Sequence, residues 1–160
     1  TSGEVLGNLS PTFMTVAMGK TGKSAHEAID FGFGKPSDTI LFNARELLFV
    51  AIKEARLLAD AGYVPPVPVR GVPVAGRAGI ASMEMTLVNM REGGMISAHD
   101  YRVSRAVAVA LCGGEVEYGS LVDEAWLLAV ERQQFLELLK TPETQARIKA
   151  MLDTGKPLRN

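Results

Sequence analysis

The run most suggestive of chemistry is Gly19-Lys20-Thr21-Gly22-Lys23-Ser24, which contains both Gly-Lys-Thr and Gly-Lys-Ser. A phosphate-binding loop also needs a glycine five residues ahead of the Gly-Lys pair, so that successive backbone amides can wrap the phosphates. Those places hold Met14 and Ala17, and the residues before the run read as helix rather than buried strand. A glycine-rich turn between helices is therefore the plainer reading. A narrower one stays open: Lys20 and Lys23 could meet an anionic ligand at the N-terminus of a helix opened by Ser24, where the helix dipole favours negative charge.

The other reactive residue types are sparse. His26 and His99 are the two histidines, each in the first turn of an expected helix, and neither belongs to a zinc-ligand spacing. A surface or capping place is the plainer reading of both. Cys112 closes an Ala-Val-Ala-Leu-Cys run and reads as small core filler rather than a nucleophile. Glu27, Glu46, Asp100 and Asp123 each stand three residues after a Ser or Asn, as a capping box asks. Glu92, Glu131 and Glu137 fall at helix positions that can face water. Glu84 sits between two methionines, where a polar stripe is the simpler account. Met83, Met85, Met90 and Met95 suit core packing better than an adaptable contact surface. No catalytic residue and no metal site is assigned.

The elements that would position these residues are helices. Ser10-Pro11 predicts a helix over Thr12 to Met18, and Ser24 with Glu27 predicts a short one closed by Gly32 and Gly34. Asn43 with Glu46 opens a longer helix from Ala44 to Ala61, in which Leu47, Leu48, Ala51, Ile52, Ala55, Leu58 and Ala59 recur at helical spacing. Pro65, Pro66, Pro68 and Pro73 then forbid helix over Tyr63 to Val74. Beyond them the signals predict helices over Arg77 to Glu92, from Ser97 to Cys112, over Leu121 to Leu139 capped by Ser120, and from Thr141-Pro142 to about Asp153. Leu121, Ala125, Leu128, Ala129, Phe135 and Leu139 form the expected inner face of the third of these, and Ile148, Met151 and Leu152 that of the fourth. Only Asp38 to Phe42 has strand character, and one strand cannot make a sheet. The expected fold is all-α, with six to seven helices. It divides into a helical region over 1–62, a proline-rich extended connector over 63–76 lying against a surface, and a helical subdomain over 77–160.

Composition narrows the function classes. The chain has 160 residues, 17 basic and 18 acidic, for a net charge of −1. That balance offers no electrostatic attraction to nucleic acid or to an anionic membrane. No apolar run reaches the roughly 20 residues that span a bilayer. One cysteine cannot form an internal disulfide, which suits a reducing compartment, and the cytoplasm is the expected location. The opening Thr-Ser-Gly-Glu lacks an initiator methionine, so a piece of a longer polypeptide is expected.

Two stretches resemble a known family. Met18 to Phe33, through Ser24, Ala25, Glu27, Ala28, Gly32 and Phe33, looks like the segment that follows the catalytic core of the crotonase family of enoyl-CoA hydratases and isomerases. The second half, with Asn89 to Gly94, Ser97 to Asp100 and the ending Met151 to Asn160, is similar to the end of fused 3-hydroxyacyl-CoA dehydrogenase/enoyl-CoA hydratase chains. The resemblance implies a parent enzyme of fatty-acid β-oxidation that uses NAD and acyl-CoA thioesters. The catalytic residues would lie outside this stretch, because it has neither the dinucleotide fingerprint nor the oxyanion glycines. It also implies that these helices cover the acyl-CoA site or build contacts in a homo-oligomer, beside upstream domains of the same chain. Lys20 and Lys23 would be the candidate contacts to a CoA phosphate. A non-catalytic helical interaction module is the alternative, since well-capped helices produce similar strings for local reasons.

Overall fold

The computed structural model describes Ser2–Asn160, with side chains from Val5 onward. Seven α-helices carry the fold: α1 (Ser2–Ala17), α2 (Ala25–Asp30), α3 (Leu47–Asp60), α4 (Gly76–Glu92), α5 (Ala98–Leu111), α6 (Glu124–Leu139) and α7 (Pro142–Thr154). A 3-10 turn over Ala44–Glu46 precedes α3, and two two-residue strands, β1 (Val72–Pro73) and β2 (Leu121–Val122), pair antiparallel. The all-α expectation holds. The chain forms two compact units, one comprising the residues up to Lys20 with Val69–Asn160, the other Thr21–Pro68. Packing therefore groups α1 with the helices of the second half rather than with its neighbours in sequence. The physical reason is Phe13, which is 2% exposed in a core otherwise drawn from residues 75 to 112.

The core of the first unit is a seam between α4 and α5 closed by α1. Ile80, Met83 and Leu87 recur on one face of α4, and Ala108, Val109 and Cys112 meet them. Two backbone approaches set how tightly this seam closes. Gly76 (φ +51) donates its N–H to the Cys112 carbonyl at 2.9 Å, and the Arg77 N–H reaches the Val116 carbonyl at 2.9 Å. A Cβ on Gly76 would lie 2.1 Å from that Val116 oxygen. One turn away Gly113 (φ +78) lies over Val74, whose side-chain carbons would stand 2.7 to 2.9 Å from an added Cβ. Both positions need glycine for conformation and for space.

Several sequence expectations change. The first helix begins near Ser2, and Pro11 lies inside it rather than at its start. The missing Pro11 N–H is tolerated, with Ser10, Thr12 and Thr15 hydroxyls bonding back to the carbonyls of Leu6, Asn8 and Pro11. Ser120 caps nothing. Asp123 is the N-cap of α6 and accepts from the Trp126 N–H at 2.8 Å, while Leu121 and Val122 form β2. The expected inner face of α6 is also displaced: Leu128 and Phe135 are 55% and 53% exposed, and Val130 packs on the core instead. On α7, Ile148, Met151 and Leu152 are exposed. Asp38 to Phe42 forms no strand.

The second unit holds α2, the 3-10 turn and α3. Ser24 accepts from the Glu27 N–H at 3.1 Å, and Asn43 accepts from the Arg45 N–H at 3.1 Å, so both predicted caps are present. No residue of α3 is buried, and Leu47, Leu48, Ile52 and Leu58 of its apolar stripe are all exposed. The proline segment is divided. Tyr63 to Pro68 is exposed and falls in this unit, whereas from Val69 the chain lies on the first unit, where Val72–Pro73 pairs with β2 and Val74 is 4% exposed.

Replacing Gly76 by alanine should lower unfolding free energy by more than about 2 kcal/mol, because a positive-φ cost of roughly 1–2 kcal/mol adds to a clash with backbone. Gly119→Ala, also at positive φ but with open space around it, should cost about 1 kcal/mol. Urea unfolding followed by circular dichroism measures both, and equal losses would show that the close approach does not matter.

Candidate functional site

The two lysines singled out by sequence stand in different surroundings. Lys20 follows the end of α1, where its N–H donates to the Thr15 carbonyl at 2.9 Å. Lys23 precedes α2, across the division between the two units. Both side chains are exposed. The N-terminus of α2 already carries two oxygen groups: the Ser24 hydroxyl bonds the Glu27 N–H, and the Glu27 carboxylate accepts the Lys23 N–H. That carboxylate satisfies the donor an anion would otherwise seek.

Histidine 99 departs from its expected surface place. It is 7% exposed, and its Nε2 lies 3.0 Å from the Thr144 hydroxyl on α7. Burial lowers its pKa below the usual imidazole value, with the positive charge of Arg147 acting in the same direction. Beside it Asp100 completes the capping box predicted at α5: Ser97 Oγ accepts from the Asp100 N–H at 3.0 Å, and the carboxylate accepts the Ser97 N–H at 3.2 Å. The same carboxylate pairs with Arg147 at 2.9 Å and faces Arg159 at 3.7 Å. Burial works to raise the Asp100 pKa, but the Ser97 hydrogen bonds and Arg147 outweigh it and hold the carboxyl below its ordinary value.

Asn160 ties this cluster to the last segment of the chain. Its backbone oxygen accepts from Ser97 Oγ at 2.6 Å and from Arg147 Nη2 at 3.1 Å, while its side-chain oxygen accepts from Arg147 Nε at 2.7 Å. Arg147 is thus fully engaged. A second polar cluster joins α4 to α5, where Glu84 Oε1 accepts from the Tyr101 hydroxyl at 2.7 Å and from Arg105 Nε at 3.0 Å. The Tyr101 hydrogen bond is the main reason the Glu84 pKa is lowered. Glu84 is therefore a helix-to-helix tie rather than part of a solvated stripe. Cys112 is the core filler expected, fully buried and with its thiol pushed up to about 11 by burial. Among the methionines Met83 is in the core, while Met85 and Met95 are exposed. His26 is exposed.

A concavity in the first unit runs along α6 between α5 and α7, with Val16 of α1 at its edge, and has a volume of about 690 Å³. Its surface is mainly aliphatic and aromatic, interrupted by Glu124, Glu131, Gln134, Thr144 and Arg147. Sequence reasoning did not find it, because Leu128 and Phe135, which line it, were read as a covered inner face although both are exposed. No group of His, Cys, Asp or Glu among the described residues could hold a metal ion. The described strands are two residues long and carry no glycine-rich strand-to-helix turn, so the residues present do not fit a dinucleotide. No described helix is long and apolar enough to cross a membrane.

No family model matches the chain, and no solved structure matches it. The chain is 41% identical over 149 residues to a protein of Bacillus subtilis (strain 168) described as a probable 3-hydroxyacyl-CoA dehydrogenase. The aligned stretch is 93% of this chain but 19% of that protein, so the chain spans about a fifth of its relative's length.

His99 and Asp100 both have depressed pKa values in the fold, so the unfolded chain binds more protons as the pH drops and stability falls with it. The His99 contribution is present above its unfolded value of about 6.5 and is lost as the pH falls below that toward its folded value. Melting temperature should drop between pH 7.5 and 5.5, and the slope should flatten in His99→Gln, which keeps a partner for Thr144. An unchanged slope would remove His99 as the cause.

Proposed function

We propose that the chain is the C-terminal helical region of a larger fatty-acid β-oxidation enzyme acting on acyl-CoA, a fused 3-hydroxyacyl-CoA dehydrogenase/enoyl-CoA hydratase. The observation that carries this is identity of 41% across 93% of the chain to a relative five times its length. The crotonase-like segment from Met18 to Phe33 supports the hydratase half of the reading. In such a protein NAD and the reacting groups are held by other parts of the polypeptide, and no catalytic step is assigned to this chain. Its helices contribute cover to the acyl-CoA pocket or contacts between subunits, which accords with the exposed apolar stripe of α3. The parent would work in the cytoplasm as a homo-oligomer.

The test is to express the longest reading frame that contains this sequence and to assay the product. NAD-dependent oxidation of 3-hydroxybutyryl-CoA and hydration of crotonyl-CoA are both expected of the long protein, and neither of the 160-residue chain. A long product without dehydrogenase activity would sink the reading. Crotonyl-CoA turnover by the isolated chain would show that it carries catalytic groups after all.

Lys20 and Lys23 are the exposed cations through which this chain would touch a CoA phosphate. In isothermal titration the chain should bind free CoA weakly, and Lys20→Ala/Lys23→Ala should abolish the heat. Identical heats in the variant would discard both lysines as contacts.

The second reading, a non-catalytic interaction module, is favoured by one observation: all of α3, including Leu47, Leu48, Ile52 and Leu58, is unburied. A start codon directly ahead of Thr1 would support it over the enzyme reading.

A further inference from the structure

The groove along α6 combines an apolar surface with charge that no described residue neutralises. Positions 124, 127, 128, 131, 135 and 138 follow helical three-four spacing, so Glu124 and Glu131 share one wall with Leu127, Leu128 and Phe135. Neither glutamate side chain has a hydrogen-bond or ion-pair partner among the described residues. Among the described residues Arg147 is the one cation lining the groove, and Asp100 and Asn160 already hold it. The uncompensated charge is therefore two carboxylates, seven residues and roughly 10 Å apart along the helix.

An acyl chain matches this surface poorly. It would lie against Leu127, Leu128 and Phe135 while stripping water from two unpaired carboxylates, and its CoA phosphates or free carboxylate would be repelled by them. A polypeptide helix matches on both counts. Its apolar stripe can lie in the groove, and basic residues one heptad apart can reach both glutamates. With 16 residues, α6 offers a wall of about 24 Å, room for some four turns of a second helix.

We propose that this groove receives an amphipathic α-helix with an apolar stripe and basic residues seven apart, supplied by the longer polypeptide to which the chain belongs. Only the source of the helix rests on the enzyme reading above; its chemistry follows from the groove.

The test uses the 160-residue chain and three fluorescent 18-residue peptides. One is a Leu/Lys helix with lysines at seven-residue spacing, the second is its Leu/Glu counterpart, and the third scrambles the first. Fluorescence anisotropy should show saturable binding of the Leu/Lys helix at least tenfold tighter than of the other two. Glu124→Lys/Glu131→Lys should reverse the preference toward the Leu/Glu helix. Phe135→Asp, at an exposed position, should weaken both by tenfold or more with an unchanged circular dichroism spectrum. Equal binding of the scrambled peptide, or no reversal in the charge-swapped variant, would overturn the proposal. So would displacement of the Leu/Lys helix by dodecanoyl-CoA at the groove, which would make it an acyl site. None of these failures affects the dehydrogenase and hydratase assays, which test the enzyme reading separately.

Discussion

The contact on which the first unit depends is backbone lying on backbone, where the first turn of α4 crosses the chain that leaves α5. Gly76 permits it, with no side chain between its Cα and the Val116 carbonyl, and Gly113 beside it makes room for the Val74 side chain. Close approach there sets how near the start of α4 comes to the end of α5. At that distance Gly79 must also lack a side chain, since an added Cβ would come within 2.8 Å of Cys112 Sγ. The core is consequently made of small residues near this crossing and of larger ones, Ile80, Met83 and Leu87, away from it. Packing density in such a seam comes from proximity of main chains as much as from bulky side chains.

The second constraint acts at the opposite end of α5. There Asp100 serves as capping residue and as ion-pair partner, so one carboxylate anchors the start of α5, the side of α7 and the final segment through Arg147 and Arg159. Removing water from a carboxylate is costly, and several donors are needed to offset it. His99 beside it takes the neutral partner Thr144 rather than a charge. Polar groups at this end are thus organised around structure, and the groove that runs beside them is left with acidic character.

Much of the secondary structure was legible because helix ends carry local chemistry. The Ser97 capping box, the Thr141-Pro142 start and the Ser24 cap are all decided within four residues, and all are present. Ser10-Pro11 misled for the same reason, since a local start signal cannot reveal that a helix is already under way. Ser120 and Asp123 compete for one helix start, and pairing of Leu121 and Val122 with a segment some fifty residues earlier decides between them. Such long-range pairing leaves no local trace. The inner faces expected on α6 and α7 fail because the apolar residues there have little covering them, and of the methionines read as core Met83 is buried while Met85 and Met95 are exposed. Of the candidate site, Lys20 and Lys23 could be named from sequence, whereas the groove could not, because its wall mixes carboxylates with leucines.

The buried thiol of Cys112 makes the α4–α5 seam observable from outside. It is the single cysteine in the chain, has no exposed surface, and is held largely protonated by burial, with a pKa of about 11. A thiol reagent can therefore react only when the seam opens, and the labelling rate then counts opening events rather than surface encounters. Read across a denaturant series, that rate separates local parting of the two helices from global unfolding without an engineered labelling site.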